Sequence, residues 1–173
     1  KNVNITKEQI MIHKLFILFG APAMDLIDVH MGFVHLPIGL LWGSAAFDFA
    51  AFLLPMVFPR HGHRPRHRLL RASWHSTAYW LLMMGAVATI IAATLGYYGN
   101  PFAGKGNALA QRATIHMYFG FTTVAIFCTL AVWRIFLKNK FTKWQAASYN
   151  ALLLVGFIVI TVTGFLGSHV AGP

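Results

Sequence analysis

Apolar residues run along this chain in four long blocks, at 36–58, 74–98, 113–137 and 147–168, broken only by isolated polar positions. A helix rises about 1.5 Å per residue, so roughly 20 apolar residues cross the hydrocarbon of a bilayer. Every block is long enough, and the connections between them are short. The pattern predicts an all-α fold: an integral membrane, antiparallel four-helix bundle. Before the first block the pattern changes. Residues 1–9 are polar, and 10–20 are apolar but carry His13 and Lys14. That stretch is too short and too charged to span, which predicts a short N-terminal interfacial helix. The chain therefore divides into a polar and interfacial segment, 1–33, and a transmembrane domain, 34–170.

Punctuation residues set the expected boundaries. Pro37 suits a first helical turn, where its missing N–H leaves nothing unpaired. The first span is then expected to start near Leu36 with His35 at its mouth. A Pro-kinked helix running through from Asp25 is the alternative. Ser73 is a candidate cap for the second helix, with Trp74 at the interface. Good helix formers after Asn107 predict that the third helix starts there, some turns before its apolar centre. Trp133, Arg134 and Lys138 mark that helix's other end.

Composition agrees with a membrane domain. Apolar residues make up 57% and charged residues 10%, against about 25% charged in a soluble domain. The net charge of +10 is placed unevenly. Arg60, Arg64, Arg66, Arg68 and Arg71 follow the first span; Arg134, Lys138, Lys140 and Lys143 join the third to the fourth. The positive-inside rule puts both connections in the cytoplasm and both termini outside, as a multi-pass protein of a bacterial inner membrane. Anionic lipid head groups account for these cations, so no nucleic-acid partner is implied. The single cysteine, Cys128, rules out an internal disulfide, and without a Cys-x-x-Cys-His motif there is no covalently attached haem. P-loop, Gly-x-Ser-x-Gly and His-Glu-x-x-His motifs are absent, so the chain is at most a redox subunit of an oxidoreductase complex.

The chemistry lies in the histidines, nine against four carboxylates. His35, His116 and His169 come from three helices to one level at the outer end. Imidazole is the usual protein ligand for haem and for borderline metals. Gly39 follows His35 by four residues and Gly120 follows His116 by four. Each shares a face with its histidine and leaves room for a flat macrocycle. Gly39-x-x-x-Gly43 equally fits close helix packing. Arg112, one turn before His116, is placed to pair with a haem propionate. His13, His30, His61, His63 and His67 read as solvated. Asp48 is the one carboxylate inside a block and needs a partner there. A hydrogen bond to His75 or Ser76 is one reading; a proton relay is the other.

The motifs His35-Leu-Pro-Ile-Gly-Leu-Leu, Phe47-Asp48-Phe49, Trp80-Leu-Leu-Met-Met-Gly85 with Gly96, His116, and Gly167-Ser-His169-Val170 resemble a bacterial family of small inner-membrane proteins with an uncharacterised domain. The likeness covers about 34–170. This chain departs from the family pattern in having Leu36 for phenylalanine, Ser168 for glycine, and a short tail after Val170. The resemblance implies four helices and a link to respiratory c-type cytochromes and membrane electron-transfer modules. It falls on His35, His116 and His169.

These readings lead to a b-type haem subunit passing electrons between an outside-facing partner, such as a c-type cytochrome, and quinone or a larger complex. His116 would be one axial ligand, and His35 or His169 the other. Two other readings remain: a cofactor-free structural subunit whose histidines hydrogen-bond at the interface, and copper held by the outer histidines.

Overall fold

The computed structural model describes residues 25–57, 65–101, 105–137 and 140–170. They form helices α1 (Leu26–Phe33), α2 (His35–Val57), α3 (Pro65–Tyr98), α4 (Ala108–Leu137) and α5 (Lys143–Val170). No strand occurs among the described residues. Four stretches are long and apolar enough to cross a membrane: Leu26–Leu54, Leu69–Tyr98, Ala108–Leu137 and Lys143–Val170. The interfacial helix expected at 10–20, with His13, and the loop histidines His61 and His63 lie outside the described residues, as does the side chain of His67.

The first span begins at Leu26, well before Leu36, so the through-running helix is the arrangement found. Val34 joins α1 to α2 in a right-handed helical conformation, φ −60° and ψ −24°. The break in the ladder has a local cause: Pro37 has no N–H to give the Phe33 carbonyl one turn back. Pro65 opens α3, a place where proline lacks no needed donor. Asn107 caps α4, its Oδ1 accepting from the Ala110 N–H at 2.9 Å. A capping box starts α5: the Gln145 N–H donates to Thr142 Oγ1, and the Thr142 N–H donates to Gln145 Oε1.

The spans pack in a closed ring. α2 lies on α3, α3 on α4, α4 on α5, and α5 returns to α2, while α1 rests on the far end of α3. The first and third spans are therefore diagonal. Leu41, Leu82, Phe127, Leu130 and Leu153 fill the centre with no exposed surface. Large apolar residues such as Trp80, Val87, Phe136 and Phe165 face outward. A soluble monomer rarely exposes so continuous an apolar coat, and here lipid tails cover it.

Gly85 lets α2 and α3 approach. A Cβ there would stand 2.5 Å from Leu41 Cδ2 and 2.7 Å from its Cγ. Leu41 has no free surface to move into. Gly85→Ala is expected to lower unfolding stability in detergent by about 1–3 kcal/mol, the range for overpacking. An unchanged midpoint in SDS titration would show that this helix pair gives way freely.

Candidate functional site

Two polar clusters interrupt the apolar interior, one near each end. The first is built on His30 and His116. Because α1 continues into the span, His30 does not point to solvent as expected from sequence; it is partly buried against α3. Its Nδ1 lies 2.9 Å from the Ala92 carbonyl. His116, on α4, places its Nδ1 3.0 Å from the Thr163 carbonyl of α5. A carbonyl oxygen can only accept, so both Nδ1 atoms carry their proton and donate it. In the neutral rings both Nε2 atoms are then left as bare lone pairs. The ring centroids are 6.3 Å apart with planes at 74°.

Glycines make this placement possible. A Cβ at Gly96 would come within 2.7 Å of the His30 ring, and one at Gly167 within 3.0 Å of the His116 ring. A Cβ at Gly99 would meet the backbone of Leu26 and Ile27 at 3.1 Å or less. The pair Gly96 and Gly99 thus seats α1 on α3, as small residues do between membrane helices.

The other residues singled out from sequence lie as follows. His35 is exposed on α2. His169 is exposed; its Nδ1–H reaches the Phe165 carbonyl of its own helix at 2.9 Å, and its ring lies 4.3 Å from that of Phe165. Gly167 faces His116, and a residue two further along a helix points to the opposite side. Arg112 is exposed on α4, one turn outward of His116. Gly39 and Gly120 both border open space, whereas a Cβ at Gly43 would stand 3.2 Å from Leu81 Cδ1. So the Gly39/Gly43 packing motif is used at its second position only, within the described residues. His116 thus meets His30, and no three His, Cys, Asp or Glu residues converge among the described residues.

The second cluster binds all four spans together near the basic end. Arg134 Nη1 pairs with Asp48 Oδ2. Tyr149 donates its hydroxyl to the same oxygen at 3.1 Å, and Arg134 Nη2 donates to the His75 carbonyl at 2.7 Å. The His75 Nδ1–H reaches Asp48 Oδ1 at 3.3 Å. The Asp48–His75 bond matches the sequence reading; Ser76 is exposed instead. Arg134 does not match. It was placed among the cations marking the membrane edge, yet it is 1% exposed. Its guanidinium also lies 5.8 Å from the Tyr79 ring centre. The signal was present: three apolar residues, Ile135, Phe136 and Leu137, follow it before the helix ends.

The family described as Predicted membrane protein (DUF2231) matches residues 26–172. The chain belongs to this family. The match begins where α1 begins, so the DUF2231 domain includes His30, ahead of the 34–170 stretch marked out from sequence. With four spans of sufficient length, this DUF2231 member is a multi-pass membrane protein in contact with lipid. No curated protein and no solved structure matches it.

Proposed function

We infer that this protein is a b-type haem subunit of a membrane electron-transfer assembly, in which His30 and His116 would hold the haem. One observation carries the reading: two imidazoles from diagonal spans whose Nδ1 atoms are both tied to backbone carbonyls. That second bond fixes tautomer and ring orientation in metal-ligating histidines. The rings stand 6.3 Å apart, centroid to centroid, close enough for both to hold one group. Bound in this way, haem would supply one-electron transfer, with bis-imidazole ligation and nearby hydrogen bonds setting its potential.

The chain's own residues have definable tasks in this reading. Ala92 and Thr163 hold the imidazoles, and Gly96 and Gly167 leave room for them. Gly120 leaves open space one turn inward of His116. Arg112 lies where a propionate would meet a cation. The positive-inside rule, applied to the basic loops, favours the Asp48 end in the cytoplasm and the histidine pair at the outer face. An outside-facing redox protein, such as a c-type cytochrome, is then the partner closest to the site, and quinone or a larger complex is the other.

The test is the reduced-minus-oxidised absorption of the protein after gentle extraction. A Soret band and an α band are expected. A helical, monodisperse preparation without either band, even after added haem, would reject the reading.

A further inference from the structure

A cavity of about 120 Å³ opens beside the Asp48 cluster, lined by Asp48, Phe52, Arg71, His75, Phe141 and Asn150 among others. It lies far from the histidine pair. Asp48 and His30 are eighteen residues apart along one span, about 27 Å. Three features of its lining describe an occupant. First, its charge is positive: Arg134 neutralises Asp48, and Arg71 on the wall has no acidic partner among the described residues. Second, Asn150 Oδ1 is buried with no hydrogen-bond partner among the described residues, while its Nδ2 is committed to the Ala146 carbonyl at 2.8 Å. A bare acceptor in such a place calls for a donor, such as a hydroxyl. Third, tryptophans stand beside the cavity. Trp74 neighbours His75 on α3, and Trp144, 85% exposed, precedes the α5 residues of the lining by two to six positions. Tryptophan concentrates at the membrane–water boundary.

The geometry points to a binding site for the phosphoglycerol head group of an anionic phospholipid. Arg71 meets the phosphate, a glycerol hydroxyl donates to Asn150 Oδ1, and Phe52 and Phe141 flank the glycerol carbons. Basic pockets between membrane helices are the usual setting for such head groups.

Native mass spectrometry of the full chain in mild detergent, with equal phosphatidylglycerol and phosphatidylcholine, tests this. Phosphatidylglycerol is expected to be retained selectively. Arg71→Gln lowers that retention roughly fivefold, and Asn150→Leu, which removes the acceptor at similar volume, lowers it as well. Lys143→Gln, exposed on the same end but outside the cavity, leaves it unchanged. Both cavity variants keep the Asp48–Arg134 pair, and an unchanged unfolding midpoint confirms that the fold is retained. Equal retention of the two lipids overturns the proposal and leaves a water-filled cavity. So does an equal loss in Lys143→Gln, which would mean diffuse attraction. Selective binding of glycerol 3-phosphate without lipid would assign the site to a soluble phosphate ester instead, and also overturns it.

Discussion

Arg134→Met is expected to destabilise the protein by about 3–5 kcal/mol, the largest single loss in the bundle. The variant keeps the volume and the apolar stem but strands Asp48, which is 2% exposed and sits inside a membrane span. Tyr149 and His75 still donate to the carboxylate, which places the loss towards the lower end of that range. The double variant Arg134→Met with Asp48→Leu should recover much of it, because the cost comes from the unpaired charge and not from absent contacts. SDS-driven unfolding of the purified protein measures both. A single variant within about 0.5 kcal/mol of the parent, the size of an ordinary surface change, would mean that Asp48 is content without its arginine.

If the histidine pair holds haem, His30→Ala and His116→Ala are each expected to abolish the haem spectrum, whereas His35→Ala and His169→Ala leave it intact. The contrast follows from where the rings are. His30 and His116 are partly buried, mutually in contact and anchored through Nδ1 to other helices. His35 and His169 are exposed. Gly96→Val should act like His30→Ala, because its side chain would enter the volume of the His30 ring. Circular dichroism on each variant separates lost ligation from lost fold. If His30→Ala keeps the spectrum and His169→Ala loses it, the pair that holds haem is not the one named here.

Much of this architecture could be read from residue order. Four apolar blocks gave four spans, Asn107 gave the start of α4, and Asp48 was assigned its His75 partner. What could not be read was mostly long-range. Pro37 is compatible with either a helix start or a kink, and only the docking of α1 on Gly96 and Gly99 chooses the kink. That choice moves His30 from solvent to the interior. Arg134 looked like any cation at a span's end, because nothing local says that its guanidinium turns inward across four helices. The Thr142-x-x-Gln145 box, by contrast, is a local signal that residue order alone carries.

The Asp48–Arg134 pair also bears on biogenesis. Along the chain, the span that carries Asp48 comes before the one that carries Arg134. An arginine in a span lowers that span's own tendency to leave the translocon for lipid. By the time Arg134 emerges, its counter-charge is already waiting in the membrane. Stable burial of the later span thus depends on the earlier one, through two residues eighty-six positions apart.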